Sequence, residues 1–293
     1  MAVTTTPRPV PAAAEVNNRT RRLLGLTAIY AVLVFIGLIF VVPLGWMLST
    51  SLKPKSQWFS AEIHWIPKTI TFANYQSLLD NPATPIVRWF TNSLLVGALV
   101  TVLILVIDSL AAYAYARMEF RGRNALFALL LATLFLPGMM FLVPNFLTIF
   151  NLHLLNNYAG VILPGLAGVF GVFFLRQFFE TIPKELEEAA VLDGANAFQT
   201  FWRVALPLAR PALATLAVIT FLASWNDFLW PLLILQQADL LTLPPGLATL
   251  QGAYTSEYGQ MMAGAMVAAV PVLILYVALQ RFIVQSVATT GLK

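Results

Sequence analysis

The chain contains no cysteine. Disulfides, thiolate nucleophiles and cysteine-ligated metal sites are therefore excluded. Histidine is nearly as scarce: His64 and His153 are the only two, too few and too far apart to read as a metal pair, and they read as polar loop residues near a membrane surface. No G-x-x-x-x-G-K-[ST] phosphate loop occurs, so the chain does not bind ATP in the usual way by itself. No Ser/His, His/Asp or Cys constellation supports an enzyme.

Charge is the next shortage. Charged residues make up 10% of the chain and hydrophobic residues 59%, and the mean hydropathy is +0.79. A soluble domain of this size normally carries about a quarter charged residues. The missing charge comes in blocks: residues 23–52, 124–175 and 258–280 contain no Asp, Glu, Lys or Arg. A bilayer core about 30 Å thick needs about 20 apolar residues as helix, so these blocks predict membrane spans, and the middle one holds two spans with a turn between them. The first apolar run is too long for a secretory signal and is expected to stay as a first span.

Six spans are expected, near 23–49, 91–116, 125–149, 158–179, 211–236 and 262–284, in an all-α membrane protein. Asn151, Asn156 and Asn157 mark the turn between the third and fourth. Residues 1–22 are expected to form a disordered cytoplasmic tail, 23–90 the first span and an extracellular loop, and 91–293 a five-span core. Pro43, Pro137, Pro144, Pro164, Pro231 and Pro271 sit in or near spans, where neighbouring groups satisfy the freed carbonyls. Thirteen of the 17 Lys and Arg residues fall in alternate segments: the N-terminal tail, 117–123, 176–210 and 281–293. That asymmetry predicts a multi-pass protein with both termini in the cytoplasm. It also assigns the net charge of +4 to topology, with membrane lipid as the surroundings and no role for nucleic acid.

The segment 181–207 is the most informative connection. Pro183 suits the first position of a helix. Glu185, Glu187 and Glu188 follow in its first turns, where the helix dipole favours acids, and Gly194 suits the left-handed residue that ends it. A second short helix is expected, with Phe198, Phe201, Trp202 and Ala205 on one face. An amphipathic pair lying on the membrane would explain that second helix. It leaves the acidic first helix unexplained, and a protein partner accounts for it better.

Glu188-Ala189-Ala190, then Gly194, then Val204-Ala205-Leu206-Pro207 resembles the EAA loop of binding-protein-dependent ABC importer permeases, with Val204 where the family has Ile. Asn92-Ser93, the run Ala111 to Arg117, Phe120 to Arg123, Phe178 to Pro183 and Ser224 to Asp227 are similar to the carbohydrate-uptake branch, specifically the six-span subunit of a maltose-type heterodimer. The tail Thr290 to Lys293 departs from that pattern.

The resemblance implies a type I ABC importer permease fold in a bacterial or archaeal inner membrane, importing a sugar or oligosaccharide. It implies a coupling helix between spans four and five, at about 183–193, that docks on a separate ATPase. Glu188, Ala189, Ala190, Asp193, Gly194, Leu206 and Pro207 would be the coupling residues, and Trp225, Asn226 and Asp227 possible translocation-path residues. Its implied partners are a second permease subunit, an ATPase dimer that holds the ATP and magnesium, and an extracellular or periplasmic substrate-binding protein. No cofactor is expected in this chain. The outer loop 237–261 would reach toward the binding protein. Asp108 and Asp227 lie within spans, where acids are costly. Two other readings stand beside this one: an ion-gradient-driven secondary transporter, which leaves segment 181–207 without a purpose, and an ABC permease for a non-sugar solute.

Overall fold

A computed structural model describes residues 12–58, 62, 64–250 and 257–290, with side chains described between Leu24 and Ala278 of that set. The described residues are almost entirely helical. In chain order the helices are α1 (Ala12–Ser51), α2 (Ala73–Asp80), α3 (Ile86–Arg117), α4 (Arg123–Ala132), α5 (Leu142–Asn151), α6 (Tyr158–Gly165), α7 (Phe170–Thr181), α8 (Lys184–Leu192), α9 (Ala197–Thr200), α10 (Leu206–Leu208), α11 (Arg210–Trp225), α12 (Leu229–Ile234), α13 (Leu243–Ala248) and α14 (Tyr258–Thr290).

Three helices are long and apolar enough to cross a membrane unaided: Leu24–Ser51 of α1, all of α3, and Tyr258–Ala278 of α14. They come from the continuous apolar runs. Helix α1 begins at Ala12, about ten residues before the expected span, because Ala12, Ala13, Ala14 and Glu15 are good helix formers. The rest of the expected disordered tail, residues 1–11, lies outside the described residues.

The other three spans are bent pairs. The expected span 125–149 is folded by 94° between Arg123–Phe135 and Gly138–Asn151. Leu136 precedes Pro137 and is extended (φ −84°, ψ 125°), because proline disfavours the helical conformation in the residue before it. The expected span 158–179 bends by 47° between α6 and α7. The expected span 211–236 starts at Arg210, stops at Trp225 and resumes as α12. At its lower end it meets the segment Ala197–Leu208 at 77°. The turn expected around Asn151 to Asn157 is present. His153 and Asn156 take positive φ, and the Asn157 side chain caps α6 by accepting from Ala159 N at 2.9 Å.

Helix α3 is the centre of the bundle and packs on α7, α11, α6 and α13. One hydrophobic core surrounds its first half, around Trp89, Ile162, Trp225 and Ile234. A second surrounds its last turns, around Ala112, Tyr113, Phe179, Phe201 and Ala205. Burial of this kind contributes about 25 cal/mol per Å² of apolar surface removed from water. In a bilayer, shape and close approach count for more. Such an approach occurs where α7 crosses α3: a Cβ at Gly171 would overlap the carboxylate of Asp108. Asp108 is only 2% exposed. Lys55 with Glu257, Trp89 with Ala238, and Asn156 with Gln236 tie the connections that carry them to one another at one end of the bundle. The segment 181–207 lies at the other.

Candidate functional site: an exposed helix at one end of the bundle

Helix α8 starts at Lys184, with Pro183 one position earlier than expected, as its N-cap (φ −56°, ψ 130°). Glu185 and Glu187 occupy its first turn, where they complement the dipole. Its end is a Schellman motif: Gly194, at φ +87°, donates its N–H to Val191 O at 3.0 Å, and Ala195 N donates to Ala190 O at 2.9 Å. A left-handed φ at this position is costly for any residue with a Cβ, so Gly194 sets the turn as expected. Asn196 and Gln199 then form a capping box, each side chain bonding the other's backbone N–H at 2.9 Å. The N-x-x-Q spacing that encodes it is readable in the sequence but was not among the signals weighed above.

The expected single apolar face of the second helix is divided in two. Phe201 and Ala205 are buried, Phe201 lying 5.1 Å from Tyr113 and 6.4 Å from Phe179, ring centre to ring centre. Phe198 and Trp202 stack on each other at 6.5 Å and remain 65% and 58% exposed. Each pair is spaced by four residues and forms its own row along the helix. A π-turn over Phe201–Ala205 precedes Pro207, which has no N–H for the regular ladder.

The expected coupling residues do not all meet. Glu188, Ala189, Asp193 and Gly194 are exposed on α8 and its cap, and Ala190 is half-buried. Leu206 and Pro207 are half-buried in α10, where they shape the 77° bend into α11. The apolar residues Leu186, Val191 and Leu192 are also exposed on α8, Leu192 to 89%.

Glu187 is the residue that the sequence pattern did not single out. It turns inward: its Oε1 lies 2.8 Å from Arg117 Nε, and the two side chains are 12% and 7% exposed. Tyr113 OH donates to its Oε2 at 3.0 Å. Arg117 also donates through Nη2 to the carbonyls of Phe179 and Ile182. The signal was present in two parts, the acidic first turn and the run ending at Arg117. A cleft of about 600 Å³, lined by Tyr113, Arg117, Glu187, Glu188, Val191 and Leu192, opens between α8 and α3.

The expected translocation-path residues separate likewise. Trp225 is 2% exposed, stacks with Phe221 at 5.7 Å and donates to Ala268 O at 3.2 Å, so it belongs to the core. Asn226 donates back to Leu222 O at 2.8 Å. Asp227 lies beside the backbone amides of Phe228 and Trp230 at the start of α12. It also lines an open-sided cavity of about 380 Å³, with Asn145, Thr220, Ser224 and Trp230. Among the described residues no group of His, Asp and Glu is arranged to hold a metal ion.

Residues 104–289 match the family described as the inner membrane component of binding-protein-dependent transport systems. The arabinooligosaccharides transport system permease protein of Bacillus subtilis is 35% identical, over 88% of this chain and 92% of that protein. The diacetylchitobiose uptake system permease protein of Streptomyces coelicolor is 35% identical, over 88% and 86%. Among solved structures, a chain of a bacterial ABC transporter involved in the import of the acidic polysaccharide alginate superposes with a TM-score of 0.78 at 27% identity, covering 94% of this chain and 99% of that one.

Proposed function

Because the chain belongs to the family of inner membrane components of binding-protein-dependent transport systems, we infer that it is a permease subunit through which an ATP-driven importer passes a sugar or oligosaccharide into the cell. It is a transport subunit and not an enzyme, and it works with a substrate-binding protein outside the membrane. The observation that carries the reading is α8: a short helix with exposed apolar and acidic residues, fixed at the end of a membrane bundle. Clustered exposed apolar residues rimmed by polar ones mark a surface that meets a partner.

In this reading α8 docks on one subunit of an ATPase dimer, which supplies ATP and magnesium. Glu188 pairs with a basic group there, Ala189 and Ala190 allow close approach, and Asp193 and Gly194 hold the turn. Leu206 and Pro207 set the angle at which the loop meets α11. Placing α8 in the cytoplasm puts both termini there too, in agreement with the Lys and Arg distribution. A second permease subunit completes the pore. Nucleotide-driven closure of the ATPases then biases one two-state element, the membrane cavity, between its inward and outward forms. Asp227 is a translocation-path residue in this scheme, supported by its place on the wall of the cavity beside Asn145, Ser224 and Trp230. An indole face with hydroxyl and amide partners suits a sugar.

The test is a mild-detergent pull-down of the tagged chain from its native membrane. Recovery of a P-loop ATPase together with a second multi-span permease is the expected result. Recovery of the chain alone, still active in ion-gradient-driven uptake, would overturn the importer reading.

A further inference from the structure

Helix α3 is bonded by its side chains to a functional segment at each end. At the α8 end, Tyr113 OH donates to Glu187 Oε2 at 3.0 Å, and Arg117, one turn on, sets its Nε 2.8 Å from Oε1 as a close ion pair without hydrogen-bond alignment. At the opposite end, Trp89 Nε1 donates to Ala238 O at 2.6 Å. Asn92 Nδ2 donates to Asp239 O and Leu241 O, both at 2.9 Å, and Ser93 Oγ accepts from Leu243 N at 2.7 Å. The 32 residues of α3 contain no proline and no break, whereas two of the other spans are bent within themselves, by 47° and 94°. A helix of that length is a rod of roughly 48 Å.

The two sets of bonds differ in kind, and both resist slipping. The Glu187 joint is a nearly buried ion pair, and separating it would strand a charge in an apolar setting. The outer joint consists of side chains bound to backbone, which fixes the path of residues 238–243 to the helix itself. A displacement of α8 therefore reaches α3 before it reaches anything else through a charged contact, and α3 cannot move without carrying residues 238–243.

Resting on the permease reading, we propose that α3 is the rod that transmits movement of α8 to the outer segment 238–243, with Glu187 as the positioning residue that engages it. The observation behind it is one continuous helix bonded at both ends to segments that, on that reading, face different partners; whether both ends bias one two-state element is what the experiment measures.

The experiment is hydrogen–deuterium exchange on the assembled importer in nanodiscs, with and without a non-hydrolysable ATP analogue. It follows peptides covering α8 and residues 236–243 in the wild type and in Glu187→Gln, Tyr113→Phe and Asn92→Ala. In the wild type the analogue should change exchange in both peptides, by about fivefold or more at 236–243. In Glu187→Gln the response at α8 should persist while that at 236–243 is lost. Tyr113→Phe keeps the Arg117 contact and Asn92→Ala keeps the Trp89 and Ser93 bonds, so each should reduce the response at 236–243 without abolishing it and leave that at α8 unchanged. Should Glu187→Gln fail to assemble, Tyr113→Phe decides alone. A response at 236–243 that is undiminished in Tyr113→Phe overturns the rod. So does a wild-type response at α8 without one at 236–243, and that result leaves the permease reading intact. A wild-type chain that captures no ATPase and responds nowhere overturns the permease reading, and the rod with it.

Discussion

Asp108 of α3 fills the notch that Gly171 leaves in α7, and a single added methyl at Gly171 would overlap its carboxylate. The acid is nearly fully buried, and the glycine is what lets the two helices close around it. Gly171→Ala should therefore destabilise the bundle by about 1–3 kcal/mol, the usual cost of overpacking. Adding Asp108→Ala should restore most of that loss, since the two sites share one contact. Thermal unfolding of both variants in detergent checks this. An additive double variant would contradict it.

Gly194→Val places a β-branched residue at φ +87°, at a local cost of about 1–3 kcal/mol. The Schellman cap should open and α8 should lose its fixed direction, while the spans stay inserted. Co-purification of the ATPase should drop about tenfold at an unchanged amount of chain in the membrane fraction, in line with ~1.4 kcal/mol.

Leu192 is 89% exposed at the tip of α8, and a charge there should be felt only by a docked partner. Leu192→Asp should weaken ATPase capture by about 2 kcal/mol, a hot-spot effect, and leave the unfolding temperature of the isolated chain unchanged. Equal losses in capture and in stability would assign Leu192 to the fold instead.

Lys53 sits just beyond α1, 2% exposed. Its Nζ donates to His64 O at 2.7 Å and lies 4.1 Å from the Trp46 ring centre. Burial pushes its ammonium below the ordinary value of 10.5. The unfolded chain thus holds this proton more tightly than the folded one, and stability rises with pH across the interval below 10.5. Relative to Lys53→Met, the wild type should gain stability as pH is raised toward 10. Melting curves of the pair between pH 7 and pH 10 test the sign, and a wild type that loses ground over that interval would refute it.

How much of this was legible in the sequence depends on how far away each residue's partner lies. Helices α1, α3 and α14 follow from unbroken apolar runs, which need no partner to be recognised. Gly194 was legible because its turn is built from its own neighbours. The bends were legible only in part. Pro43 and Pro271 lie inside continuous helices, while Pro137, the one of the three followed by glycine, ends one; the size of the bend is set by packing that no local pattern carries. Glu187 and Glu188 were indistinguishable because their partners are distant. Successive helix residues point about 100° apart, and only the position of Arg117 decides which acid faces inward. The same rotation divides Phe198 and Trp202 from Phe201 and Ala205. Trp225, adjacent to two polar residues in the sequence, gives no local sign of its neighbours; its indole packs between Phe90 and Phe221.

The 94° fold at Leu136 and Pro137 has a consequence for hydration. Interrupted backbone at bilayer depth cannot face lipid, because each unsatisfied peptide group there costs several kcal/mol. Gly138, the first residue after the break, lines the same cavity as Asn145, Ser224 and Asp227. The break must therefore open onto that cavity, where water can reach it, or be covered by neighbouring protein. The side of the chain that carries the kink is thus not a side that meets hydrocarbon.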